Sequence, residues 1–129
     1  MPRLVRLLPA AIVMIALTVI VIAANRGTLP AVAMIKALPL GDKIAHLLGA
    51  AGLSFAVNFA LASRLVTTRP PIQLGTLLLI PLVTLEECTQ VTNSMRQFDL
   101  ADLAMNLAGL YVGGLATRAT QGPRTRSVP

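Results

Sequence analysis

Residues 7–24 read LLPAAIVMIALTVIVIAA, eighteen consecutive positions without a charge. A helix crossing a hydrocarbon core of about 30 Å needs roughly 20 apolar residues. This stretch, preceded by Arg3 and Arg6 and closed by Asn25, Arg26 and Gly27, is therefore predicted to cross a membrane. A cleaved signal peptide is the alternative. The basic start and the Ala23-Ala24 pair fit it, but the run exceeds the usual apolar segment of about 7 to 15 residues.

Three further runs follow, so the sequence predicts an all-α, polytopic membrane protein forming one membrane domain over residues 1–129, with helices at about 7–24, 43–63, 70–92 and 99–117. The second run is rich in small residues, with Ala45, Gly49, Gly52, Ala56 and Ala60 on one face, a pattern that lets a neighbouring helix approach closely. Pro70 and Pro71 are placed at the opening of the third run, where proline is tolerated, and Pro81 is expected to kink it. The third run reaches spanning length only by including Glu86 and Glu87, and the fourth only by including Asp99 and Asp102. The short connection of about 93–98 makes these two helices antiparallel neighbours.

Composition supports this reading. Of 129 residues, 55% are hydrophobic, 12% charged and 3% aromatic, against about 25% charged in an average soluble domain. A mean hydropathy of +0.75 is too apolar for a disordered chain. The net charge of +6 comes without tryptophan or a basic helix, and its arginines sit at the margins of apolar runs, which argues against nucleic-acid binding. Cys88 is the single cysteine, so neither an intrachain disulfide nor a cysteine-rich zinc site is available.

Four spans place Arg3, Arg6, Arg64, Arg69, Arg118, Arg124 and Arg126 on one side, seven of the eleven basic residues. That side is predicted to be cytoplasmic, with both termini on it. The opposite side holds Arg26, Lys36, Lys43, Arg96 and the five acids, and the segment of about 25–41 is its only long connection.

Polar residues converge at that outer end. Asp42, Lys43 and His46 share one flank of the second helix, Glu87 and Gln90 lie one turn apart on the third, and Asp99, Asp102 and Asn106 continue into Gly109 and Gly113, a GxxxG close-packing pair, on the fourth. An ionised group in hydrocarbon costs about 2.5 to 3.5 kcal/mol on insertion scales, so these groups should face each other or a wet cavity. Plainer roles exist: Asp42 and Asp99 as helix N-caps with Asp102 completing a capping box, Lys43 and Arg96 as interfacial anchors, and Glu86 as a solvated end residue.

The order Asp42-Lys43-x-x-His46, Glu87-x-x-Gln90, Arg96-x-x-Asp99-x-x-Asp102-x-x-x-Asn106-x-x-Gly109 resembles the VanZ-like family of small multi-pass membrane proteins, named for teicoplanin resistance. The resemblance covers about residues 41–114. Where an aromatic often follows the histidine this chain has Leu47, and Ser94-Met95 precedes the arginine in place of Pro-Gly. The resemblance implies that Asp42, Lys43, His46, Glu87, Gln90, Arg96, Asp102 and Asn106 form the ligand-binding polar centre, and that the protein contributes to glycopeptide resistance.

The expected function is binding or modification of an envelope lipid or lipoglycopeptide at the outer face of the plasma membrane, with Lys43 and Arg96 contacting an anionic group. An intramembrane enzyme is the second reading, with His46 as acid or base and Glu87 or Asp102 orienting it. Its metal-dependent variant would use His46, Glu87 and Asp102, though no HExxH-like spacing supports it, and the expectation is no metal and no cofactor. A structural or assembly protein without chemistry is the third.

Overall fold

The computed structural model describes residues 3–94 and 97–121. Five α-helices dominate: α1 (Arg3–Asn25), α2 (Pro30–Ala37), α3 (Gly41–Ala60), α4 (Leu74–Thr89) and α5 (Leu100–Gln121). A short 3-10 turn, Gln90–Thr92, extends α4, and a small antiparallel hairpin of β1 (Leu65–Thr68) and β2 (Pro71–Gln73) joins α3 to α4. Four helices are long and apolar enough to cross a membrane: Leu4–Asn25, Gly41–Ala60, Leu74–Thr92 and Leu100–Gln121.

Two connections differ from the sequence expectation. The segment after α1 is not one long loop. Gly27 takes the left-handed conformation (φ 64°), and the Thr28 and Gly27 amides donate to the Ala23 and Ala24 carbonyls at 3.0 and 3.1 Å, a Schellman stop for α1. Pro30, whose fixed φ and missing N–H suit a first helical position, then opens α2. Likewise Pro70 and Pro71 do not open the third spanning helix. Val66, Thr67 and Thr68 are β-branched and extended, Pro70 sits in the turn, Pro71 starts β2, and α4 begins only at Leu74, whose amide donates to the Arg64 carbonyl at 2.8 Å.

Helix directions alternate, as contacts at both ends show. The Gln73 side-chain amide donates to the Gly114 carbonyl, and the Thr117 hydroxyl lies 3.1 Å from the Phe55 carbonyl, joining the hairpin to the ends of α3 and α5. At the other end the Asn93 amide lies 3.5 Å from the Asn25 carbonyl.

The closest helix pair is α3 with α5. A Cβ placed on Gly109 or Gly113 would strike the Leu47 or Ala51 carbonyl oxygen, so glycine at both positions permits this approach. The α3 face that meets them therefore carries Leu47, Ala50, Ala51 and Ser54. Of the small-residue stripe predicted to receive a neighbouring helix, Gly49 faces Leu17 of α1 and Ala56 is buried, whereas Gly52 has nothing within 4 Å of its Cβ position.

The interior contains as much polarity as hydrocarbon. Leu53, Leu79, Val83, Leu110 and Ala50 form the apolar core, while Ser54, Asn58, Gln73, Thr76, Glu87, Gln90, Asp102, Asn106 and Thr117 are also buried. Ser54 donates to the Leu110 carbonyl at 2.6 Å, and the Asn58 amide donates to Thr76 Oγ1 at 2.9 Å, tying α3, α4 and α5 through a neutral polar layer. Large aliphatics such as Ile15, Leu48, Leu78 and Leu85 lie outside. In a water-soluble bundle this distribution would be reversed.

Candidate functional site

Asp42 and Lys43 occupy the first turn of α3, and His46 follows one turn later. Lys43 Nζ donates to Asp99 Oδ2 at 3.0 Å and to Asp102 Oδ1 at 3.2 Å, clamping the start of α3 to the start of α5. His46 Nδ1 lies 3.2 Å from Asn106 Oδ1. Its other nitrogen, Nε2, lies 3.6 Å from Asp102 Oδ2 and 4.0 Å from Asp42 Oδ1. The Asp102 side chain is 5% exposed and that of His46 12%.

Glu87 is fully buried and performs a different task. Its Oε1 accepts the Asp99 amide at 3.3 Å, and Oε2 accepts from Gln90 Nε2 at 3.3 Å. Asp99 is the N-cap of α5, its Oδ1 accepting the Ala101 amide at 2.8 Å. The capping box expected from Asp102 is absent, because Glu87 from α4 takes the Asp99 amide and Asp102 turns toward Lys43 and His46. Asp42 is not an N-cap either; Leu40 holds that position, with φ 57°. The Lys43 ammonium and then the Ala101 amide hold the Asp99 carboxyl below its ordinary acidity range.

The structure thus assembles seven of the eight predicted binding residues at one end of the bundle, in two groups. Asp42, Lys43, His46, Asp102 and Asn106 form one, and Glu87 with Gln90 forms the other, behind the start of α5. Arg96 lies outside the described residues. Of the two carboxylates expected beside His46, Glu87 or Asp102, it is Asp102 that lies next to the imidazole, at 3.6 Å, while Glu87 is turned toward the α5 N-terminus. Lys43 is held between two carboxylates, so the role foreseen for it at an anionic ligand is already filled by Asp99 and Asp102.

Beside the first group lies a cleft of about 380 Å³. Leu17 and Val21 of α1, Gly49 and Leu53 of α3, and Leu82 and Val83 of α4 form its apolar walls, with Asp42, His46, Glu86 and Asn106 at the polar end. Along α3 it runs from Asp42 to Leu53, a rise of about 16 Å, near half the thickness of a bilayer core. Glu86, read from sequence as a solvated end residue, lines this cleft and accepts from Gln90 Nε2 at 3.0 Å.

Lys36 also lines the cleft and was not anticipated as a site residue. Its signal was the proline-opened helix α2 within the outer connection, which carries Lys36 in its last turn. The cleft walls were missed for a simpler reason. Leu17 and Gly49 carry no chemistry that sequence alone separates from ordinary packing.

No family model, curated protein or solved structure matches this chain, and none of these comparisons identifies a VanZ-like family.

Proposed function

We propose that this chain is a VanZ-like multi-pass protein of the plasma membrane that binds an amphiphile at its outer face, the acyl chain entering the α1/α3/α4 cleft and the head group meeting Asp42, His46, Asn106, Glu86 and Lys36. Four spanning helices with polar groups inside and leucines outside support the membrane setting. Arginines at the hairpin end and the margins of α1 and α5 support a cytoplasmic placement of that end, with both termini there. The observation that carries the reading is the cleft itself, which is about one leaflet deep, mostly apolar along its walls, where Thr18 is the exception, and charged at one end. A lipid-linked envelope component or a lipoglycopeptide has that division of polarity, and through such binding the protein contributes to glycopeptide resistance.

A panel of envelope lipids and lipoglycopeptides tests this by thermal unfolding in detergent, since a ligand bound only to the folded state raises Tm. At least one single-chain amphiphile is expected to stabilise wild type, and Gly49→Leu is expected to remove that shift while preserving the basal Tm. The added side chain enters the cleft, where the nearest atom to a Cβ is Leu17 Cδ2 at 3.8 Å. Equal stabilisation of wild type and Gly49→Leu would count against the reading, as would no stabilisation across the panel.

A further inference from the structure

We infer that Asp42, His46 and Asp102 form a divalent-cation site at the polar end of the cleft, for an ion of zinc or manganese type. One ligand atom from each of the three lies within 4.8 Å of the other two. The set differs from the one considered from sequence, with Asp42 standing where Glu87 was expected.

Hydrogen-bond geometry is the first support. With Asn106 Oδ1 as acceptor, Nδ1 of His46 is the donor, and in the neutral ring Nε2 then presents its lone pair. That lone pair faces two carboxylate oxygens, so three acceptors converge on one point. The separations of 3.6 and 4.0 Å exceed the N–H···O range of about 2.7 to 3.2 Å. They fit the roughly 3 to 4 Å between donor atoms that surround one ion at about 2.0 to 2.2 Å.

The surroundings supply the second support. Asn106 fixes the imidazole orientation from behind, and Lys43 holds the opposite oxygen of Asp102, leaving Oδ2 for the ion. Such outer partners orient metal ligands and fix the histidine tautomer. Two carboxylates and a neutral imidazole balance a doubly charged ion; the nitrogen donor favours zinc over magnesium or calcium, and the carboxylates also suit manganese. Asp42 and His46 line the cleft, so further coordination positions open toward it. Ion binding does not depend on the amphiphile reading.

Titration of chelator-treated protein, purified in detergent with a histidine-free tag, with Zn²⁺ alone tests the site by calorimetry. About one equivalent is expected to bind, with affinity weakened roughly tenfold or more in His46→Ala and Asp42→Asn. Glu87→Gln, outside the ligand set, is expected to bind as wild type does, and each variant's melting curve confirms that it is folded. Absence of saturable binding to wild type would overturn the inference and leave an imidazolium–carboxylate pair in its place. Binding that persists unchanged in folded His46→Ala and Asp42→Asn would overturn it too. Because no amphiphile is present, failure here is separable from failure of the cleft reading.

Discussion

Gly113→Leu is expected to abolish the folded protein, with no monodisperse species recovered in detergent. A Cβ at this position meets the Ala51 carbonyl oxygen and lies 2.8 Å from its carbonyl carbon, and helical backbone cannot yield as a side-chain tip can. Gly113→Ala is the graded version. Overpacking of this kind costs about 1 to 3 kcal/mol and sometimes more, which equals or exceeds the gain of about 1 kcal/mol that alanine brings to an unobstructed helix. Gly52→Ala supplies the contrast on α3: nothing lies within 4 Å of its Cβ position, so it is expected to hold or raise Tm. Equal effects at Gly113 and Gly52 would mean that α3 and α5 are not in backbone contact.

The second large effect is expected at Glu87. Removing its carboxylate in Glu87→Ala takes the acceptor from the half-buried Asp99 amide and one of the two acceptors of the Gln90 amide, which keeps Glu86, at about 1 kcal/mol or more for the lost hydrogen bonds. A fully buried volume is emptied as well. Glu87→Gln keeps an acceptor for the Asp99 amide and should lose less. His46→Ala is expected to cost less than Glu87→Ala, because among the described residues its one contact of hydrogen-bond length is that with Asn106. Thermal melting of the three variants checks this division of labour. A loss at His46 equal to that at Glu87→Ala would make the histidine a structural element and remove it from the proposed site.

Membrane-scale features were legible in the sequence because hydrocarbon imposes them directly. A charge-free run of spanning length permits few folds, and the glycines at 109 and 113 announced a close helix contact that the structure shows. The polar constellation was legible as well, since three helices with alternating directions must bring Asp42, Glu87 and Asp102 to one end. Partner choice within the cluster was not. Whether Glu87 or Asp102 reaches His46 depends on side-chain direction at the start of α5, and no spacing rule sets that. The hairpin was missed because Pro70 and Pro71 are tolerated both at a helix start and in a turn, and the β-branched Val66-Thr67-Thr68 stretch was too short to force the choice. The buried neutral layer of Ser54, Asn58, Gln73, Thr76 and Thr117 was hidden by ordinary composition, although Ser54 and Asn58 are one helical turn apart and could have marked a polar face.

The division between the two polar groups has a functional consequence. Glu87, Gln90 and Asp99 secure the α4–α5 corner, while Asp42, His46 and Asn106 face the cleft. Melting curves that show little stabilisation from the cleft-facing group would point to a ligand as the reason these side chains are kept.

The most direct measurement is photo-crosslinking with a single-chain lipid that carries a diazirine along its acyl chain, with labelled residues mapped by mass spectrometry. Labelling is predicted to concentrate on the cleft-lining residues, Met14, Leu17, Thr18 and Val21 of α1 and Ala45, Gly49 and Leu53 of α3, and to be suppressed by Gly49→Leu. Labelling spread over the outward faces, at Ile12, Ile15 and Val19 of α1 and Leu77, Leu78 and Leu85 of α4, with no change in Gly49→Leu, would contradict the account.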